Sequence, residues 1–151
     1  MFSSILVPVD FSEYTPEILA YATEIARRFS STIHLIHVIP KMDYFAASES
    51  FVAAENVVAA QKGVESEVER DLAEMARKIT GIPVIRAIRR GVSFVEIVEY
   101  STTEGIDIII MATHGRDGLD LIMGSATEKV VRRSPCPVLT VRPAKKQIKV
   151  T

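Results

Sequence analysis

The segment from Ala112 to Ser125 combines residue types that suit the binding of a phosphate group. It follows an unbroken apolar run, Ile108–Met111, contains Gly115 and Gly118, and ends in a Gly-Ser pair. Backbone N–H groups of a glycine-containing loop can approach an anion closely, and the positive end of a helix dipole favours negative charge. A buried strand, such a loop and a Gly-Ser pair opening a helix together predict a phosphate-binding loop.

The strands that position this loop follow from the hydrophobic pattern. Short runs rich in β-branched and other apolar residues predict buried strands, since a strand covered on both faces is continuously apolar. The third run alternates apolar and charged residues, which favours a place nearer a sheet edge. The predicted strands are Ile5–Val9, Thr32–Ile39, Pro83–Arg89, Asp107–Ala112 and Val138–Val141.

Segments of helical periodicity separate the strands. Thr15 and Pro16 suit the N-cap and the first position of a helix. A second long amphipathic helix is predicted over Val64–Ile79, after an irregular stretch from Pro40 to about Asn56. The pattern Ser-x-x-Glu predicts capping boxes, with serine at the N-cap, for two further helices. These boxes are Ser93–Glu96 and Ser125–Glu128.

Strands that alternate with helices indicate a parallel sheet with helices on both faces. Two doubly wound strand orders suit this pattern. In both, the first strand lies at the switch point, where ligands bind beyond the carboxyl ends of the strands. The loops expected to meet there are Val9–Ser12 and Thr113–Gly124. The glycine-containing loop therefore lies where the fold would place a ligand.

Length and composition limit the possible functions. The 151 residues suffice for one domain, predicted over residues 1–143, and the basic tail over 144–151 is expected to be flexible. A net charge of −1 gives no basic excess for nucleic acid or a membrane surface, and no apolar run is long enough to span a bilayer. A single cysteine, Cys136, excludes an internal disulfide framework and a multi-cysteine metal site. Because no signal peptide precedes the first strand, a cytoplasmic location is expected.

Motifs along essentially the whole chain resemble those of the universal stress protein family. They are Ile5–Ser12, His37–Ile39, Thr113–Arg116 with Gly118, and Gly124 with Pro135–Arg142. The resemblance implies a three-layer α/β sandwich, Rossmann-like and of the adenine-nucleotide α-hydrolase type, with a five-stranded parallel sheet of order 3-2-1-4-5. It also implies a stress-response regulatory protein with a regulatory protein partner, and a homodimer paired through the last strand. An exposed apolar edge strand favours such pairing on physical grounds. The residues of that strand are Val138, Leu139, Thr140 and Val141.

One branch of this family binds ATP through Gly, two residues, Gly, nine residues and then Gly-Ser or Gly-Thr. Here Ala112 stands at the first glycine, and eight residues separate Gly115 from Gly124. An added methyl matters only where the backbone needs a positive φ or a close ligand approach, whereas a shorter loop can re-aim several N–H groups. The resemblance implies ATP or AMP as ligand, with Mg²⁺ held through the phosphates. The implied nucleotide-binding residues are Pro8, Val9, Asp10, Val38, Ile39, Met111, Ala112, His114, Gly115, Arg116, Gly124, Ser125 and Ala126.

Several of these residues also have a purely structural interpretation. The Asp10 carboxylate can accept hydrogen bonds from ribose or adenine, or it can cap the turn that follows it. Val38 and Ile39 can offer backbone groups to adenine or pack in the core. The Ser125 hydroxyl can bind phosphate or cap its helix. Arg116 can pair with phosphate or remain a solvated loop charge.

The sequence gives less support to catalysis or metal binding. His114 is a lone loop histidine with no serine or cysteine nucleophile beside it. His34 and His37 are an odd number of residues apart on one predicted strand, so they point to opposite faces and are poor joint metal ligands. Since no general base is placed for water at a γ-phosphate, any ATP hydrolysis is expected to be slow or partner-dependent, and no catalytic residue is assigned.

An adaptor dimer with a degenerate nucleotide site is the main alternative, favoured by Ala112 and the short loop. A nucleotidyl transferase would need a His-x-x-His or Ser-Gly-Gly motif near the first strand, where this chain has Asp10–Glu13. A phosphoacceptor receiver domain would need a second acid near Asp10 and an aspartate at the end of the third strand, where Arg89 and Arg90 stand. The sequence supports neither the transferase nor the receiver domain.

Overall fold

The computed structural model describes residues 1–41, 54–113 and 123–143, and these residues form five strands and four helices. The strands are β1 (Ser4–Pro8), β2 (Thr32–Ile39), β3 (Val84–Arg90), β4 (Ile108–Ala112) and β5 (Val138–Val141). The helices are α1 (Thr15–Phe29), α2 (Ala54–Lys78), α3 (Ser93–Thr103) and α4 (Ser125–Arg133).

β1 lies at the centre of one parallel sheet with the order β3-β2-β1-β4-β5. Leu6 of β1 is in register with His34 of β2 on one side and with Ile109 of β4 on the other. This result confirms the predicted α/β fold, its strand order and the edge position of the third strand. The chain leaves β1 and β4 toward opposite edges of the sheet, so the switch point lies between the carboxyl ends of these two strands.

The side chains of the central strands alternate between two apolar cores, one on each face of the sheet. Ile5 and Val7 pack with residues of α1 and α2, whereas Leu6 packs with residues of α3 and α4. All three side chains are at most 1% exposed. Full burial of such a side chain contributes about 1.5–3 kcal/mol. Packing on both faces therefore fixes the position of β1 and of its carboxyl end.

The predicted helix starts were wrong by one residue. Thr15, Ser93 and Ser125 each begin a helix and none of them is its N-cap. The N-cap residues are Tyr14, Val92 and Gly124, which make no side-chain capping bond. In the Ser125–Glu128 pair, the Glu128 carboxylate contacts Arg132 at 3.0 Å along the helix and so does not reach back to the N-terminus. A matching residue pattern did not produce a capping box here.

α2 starts earlier than the sequence indicated. It begins at Ala54, before the predicted Val64, and the turns it adds bury Val57 against the protein. None of the described helices is long and apolar enough to cross a membrane. The tail predicted over 144–151 lies outside the described residues.

Candidate functional site

Asp10 lies directly beyond the carboxyl end of β1 and is half-buried. Its Oδ1 atom accepts a hydrogen bond from the Ser12 N–H at 3.0 Å, and the Ser12 hydroxyl in turn accepts from the Tyr14 N–H at 3.4 Å. Asp10 therefore does cap the turn, as the structural interpretation proposed. A carboxylate has two oxygens and several lone pairs, so the turn bond leaves Asp10 capacity to accept from a ligand.

The end of β2 lies beside the end of β1. Val9 donates its N–H to the Ile36 carbonyl at 2.8 Å, and its own carbonyl accepts a hydrogen bond from His37 Nδ1 at 2.5 Å. Since a carbonyl can only accept, the imidazole carries its proton on Nδ1. The side chain of Ile39 is buried in the core, and that of Val38 is half-buried against the other core. Val38 can therefore reach a ligand through its backbone groups, whereas the Ile39 carbonyl already accepts a hydrogen bond from the Gly91 N–H at 3.0 Å.

Two hydrogen bonds fix the ends of the predicted phosphate loop. The Gly124 N–H donates to the Thr113 carbonyl at 2.8 Å, and the Thr127 hydroxyl donates to the Ala112 carbonyl at 3.0 Å. A third bond, from the Thr113 N–H to the Val141 carbonyl at 3.0 Å, continues the sheet beyond β4. The start of α4 is thereby held against the carboxyl end of β4.

The N-terminus of α4 carries hydrogen-bond donors that have no acceptor in the described part of the chain. The first helical amide with a backbone acceptor is that of Glu128, which donates to the Gly124 carbonyl at 3.0 Å. Among the described residues, the N–H groups of Ser125, Ala126 and Thr127 have no acceptor. Ser125 is exposed and lies one residue after the N-cap Gly124. Three amides and a hydroxyl at the positive end of a helix dipole form a site that suits an anion.

The structure brings most of the predicted site residues to one edge of the sheet. Pro8–Asp10, Val38–Ile39 and Ala112 end the adjacent strands β1, β2 and β4, and Gly124–Ala126 open α4 beside them. Met111 is an exception, because its side chain is 7% exposed and packs in the core beneath α3 and α4. His114, Gly115 and Arg116 lie outside the described residues.

The two strand histidines confirm the expected opposite orientations. His34 is buried and its Nδ1 lies 2.8 Å from the Tyr100 hydroxyl of α3, on the face away from His37. Burial lowers the pKa of His34, and the Glu104 carboxylate partly offsets this effect. Burial and the Glu104 charge raise the pKa of Tyr100, while the Arg89 guanidinium acts in the opposite direction. Both groups are therefore neutral near pH 7, and they belong to the core rather than to the site.

Sequence reasoning missed the positioning roles of His37 and Thr127. His37 belongs to the His-Val-Ile motif, but its bond to Val9 joins residues 28 positions apart. Thr127 follows the Gly-Ser pair by two residues, and its bond to Ala112 spans 15 positions. For His37 the available signal was a polar side chain in a mostly apolar strand beside a predicted site, since a buried polar group needs a partner. Thr127 lies among polar and charged residues and gave no such signal.

Comparison with known proteins settles the family. The family model described as "Universal stress protein family" matches residues 1–142. The chain belongs to the universal stress protein family. A curated relative, the universal stress protein MJ0577 of Methanocaldococcus jannaschii, is 31% identical over 156 residues, which cover 94% of this chain and 96% of the relative.

Solved structures of universal stress proteins share the fold. The MJ0577 structure superposes with a TM-score of 0.76 at 30% identity and covers 95% of this chain and 97% of its own. A universal stress protein in complex with cAMP gives a TM-score of 0.66 at 19% identity, with 92% and 96% covered. The Archaeoglobus fulgidus universal stress protein in complex with dAMP gives 0.59 at 19% identity, with 93% and 98% covered.

Proposed function

We propose that this universal stress protein binds an adenine nucleotide, ATP or AMP, at the carboxyl ends of β1, β2 and β4 and acts as a stress-response regulator. One observation carries the proposal: the N-terminus of α4 presents the amides of Ser125, Ala126 and Thr127 without an acceptor in the described parts of the chain. Unpaired donors at a helix start favour a bound anion. That helix start lies at the switch point of the sheet, where this type of fold binds ligands.

The residues present fit a nucleotide. The amides of α4 and the Ser125 hydroxyl would hold the phosphates, and the Asp10 carboxylate would accept from the ribose hydroxyls. Backbone groups of Val38 would face the base, with Pro8, Val9 and Ile39 beside it. Mg²⁺, when present, would be held by the phosphates of the nucleotide and would neutralise part of their charge. Two family members of the same fold are complexes with cAMP and dAMP, which supports an adenine nucleotide as the ligand class.

The alanine at the first motif position is compatible with this proposal. Ala112 ends β4, and its φ is not positive, in contrast to those of Phe2, Phe11 and Ser30. A residue with a side chain can therefore adopt this backbone conformation without strain. Its carbonyl is also already engaged by Thr127. Glycine at this position would add flexibility without changing the path of the strand.

We also infer that the protein acts as a homodimer paired through β5. β5 is bonded to β4 on one side and forms an edge of the sheet on the other. Leu139 is 36% exposed on this short apolar strand. An uncovered apolar edge is a template for pairing, and a two-fold axis lets identical edges form hydrogen bonds with one another.

The regulatory partner and the cytoplasmic location stay predictions.

Isothermal titration calorimetry with AMP and ATP tests the nucleotide proposal. We expect one site per chain, with binding that survives the removal of Mg²⁺ for AMP because the protein itself supplies the phosphate donors. The melting temperature should rise with nucleotide concentration, since a ligand that binds only the folded state stabilises it. An absence of heat together with an unchanged melting temperature would refute the proposal and favour an adaptor with a degenerate site.

A further inference from the structure

The parallel ladder between β1 and β2 stops one hydrogen bond early. The Val9 N–H donates to the Ile36 carbonyl at 2.8 Å, as a continuing ladder requires. The next bond of such a ladder would run from the Val38 N–H to the Val9 carbonyl. Within the described residues that bond is absent, and the β1–β2 register ends at Pro8 and Ile36.

The His37 side chain takes the place of the missing bond. Its Nδ1–H donates to the Val9 carbonyl at 2.5 Å, so the acceptor is satisfied without Val38. The Phe11 ring lies against the imidazole with 4.8 Å between the ring centroids. Phe11 holds a left-handed backbone with φ 56°, which is uncommon for a residue with a side chain. The loop after β1 is thus folded back onto His37 and fixes the orientation of its ring.

Within the described residues, this arrangement leaves the Val38 N–H without an acceptor at the site. Along β2 the backbone groups alternate in direction: Ile36 accepts from β1, whereas Ile39 accepts from Gly91 beyond β3. Val38 has the same parity as Ile36, so its N–H points toward β1 and the crevice. A buried or half-buried amide without a partner is costly unless something accepts from it.

We propose that His37 is a positioning residue for nucleobase recognition: by capping the Val9 carbonyl it ends the β1–β2 ladder and keeps the Val38 N–H available to a ring-nitrogen acceptor of the base. The role in base recognition rests on the proposed nucleotide function. The claim that His37 ends the β1–β2 ladder does not. His37 itself does not touch the base. Its role is to keep the β1–β2 ladder one hydrogen bond shorter while giving the Val9 carbonyl a donor.

Amide hydrogen exchange tests the structural part without any ligand. In the wild-type protein the Val38 amide should exchange faster than the Ile36 amide, which lies inside the ladder. In His37→Leu the Val9 carbonyl loses its donor, so the Val38 N–H should pair with it and exchange at least about tenfold more slowly. His37→Asn keeps an N–H donor near the Nδ1 position and should behave like wild type. Equal exchange at Val38 and Ile36 in the wild type would overturn the proposal even if neither variant folds.

Calorimetry with AMP and with inorganic tripolyphosphate tests the functional part. His37→Leu should weaken AMP binding about tenfold, the affinity that one hydrogen bond carries, and leave tripolyphosphate binding unchanged. His37→Asn should restore AMP binding. Equal loss of both ligands in His37→Leu would mean a general structural defect and overturn the positioning role. If wild-type protein binds no AMP, the proposed function fails, while the exchange measurement still decides whether His37 ends the ladder.

Discussion

The Thr127 hydroxyl donates a hydrogen bond to the Ala112 carbonyl at 3.0 Å and ties the first turn of α4 to the last residue of β4. The neighbouring bond from Gly124 to Thr113 closes the same gap through the backbone. The loop with one residue fewer than the ATP-binding pattern therefore starts and ends at anchored positions. The direction of the α4 N-terminus depends on these two bonds.

Thr127→Val should weaken both the fold and the site. Thr127 is 4% exposed, so valine fills the same space but leaves the Ala112 carbonyl without its side-chain donor. A buried acceptor that loses its partner costs about 1–3 kcal/mol. We expect the free energy of unfolding in urea to fall by an amount in that range and AMP affinity to fall as α4 loses its anchor. Thr127→Ser retains the hydroxyl and should lose less of both; equal losses in the two variants would show that the methyl, not the hydrogen bond, matters.

Ser125→Ala separates phosphate binding from helix stability. Ser125 begins α4 after the N-cap Gly124 and is exposed, so its replacement should change the free energy of unfolding by no more than about 0.5 kcal/mol. AMP affinity should fall about threefold to tenfold through the loss of one donor. Ser93→Ala is a matched control, because Ser93 begins α3 in the same way. An equal effect of both substitutions on affinity, or none from Ser125→Ala, would contradict the assigned role.

The fold was predictable because its three central strands are largely buried on both faces and appear in the sequence as apolar runs. β5 was predicted with its exact bounds, and β1 was displaced by one residue. The helix starts were less predictable, since the Ser-x-x-Glu pattern does not say whether serine lies at the N-cap or one residue later. At α4 the glycine before Ser125 takes the N-cap, so the serine lies one residue inside the helix.

The sequence predicted where the candidate site residues would gather but not the hydrogen bonds between them. The order of strands and helices places Asp10 and Ser125 at the same edge of the sheet, and this needs only the topology rules for parallel sheets. The bonds that His37 and Thr127 make depend on the distance between strand ends in three dimensions. A pattern along one chain does not encode that distance, so the pairings emerged only with the structure.

Ala112→Gly should not improve the site. Ala112 has ordinary strand geometry, so glycine removes side-chain packing and adds freedom to the unfolded chain. We expect the free energy of unfolding to fall by about 0.5–1 kcal/mol and AMP affinity to stay within twofold of wild type. Urea unfolding and calorimetry on the same samples measure both effects. A marked gain in affinity would mean that the alanine methyl obstructs the ligand.

The His34–Tyr100 pair should make stability depend on pH. Burial lowers the pKa of His34 below its usual 6.5, so the unfolded chain binds more protons than the folded protein below that pH. The contribution of His34 is therefore fully present above pH 6.5 and is lost as the pH falls through the lowered pKa. We expect the urea midpoint to drop between pH 7.5 and pH 5.5.

The matched variant for this pH effect is His34→Asn, which keeps a hydrogen-bonding partner for the Tyr100 hydroxyl but does not titrate. The difference in midpoint between wild type and variant removes the contributions of the other ionisable groups, including Glu104 and Arg89 around the pair. That difference should shrink as the pH falls. A difference independent of pH would show that His34 keeps its usual pKa in the folded protein.

Leu139→Lys should convert the proposed homodimer to a monomer. Leu139 is exposed on β5, and a lysine there would face its own copy across the two-fold axis and place a charge at an edge that pairing covers. Ile85→Lys is the control, because Ile85 is 47% exposed on β3, the opposite edge of the sheet. Light scattering at micromolar concentration should give a dimer for the wild type and for Ile85→Lys, and a monomer for Leu139→Lys. A wild-type monomer would refute the dimer altogether, while a monomer from Ile85→Lys alone would move the interface to β3.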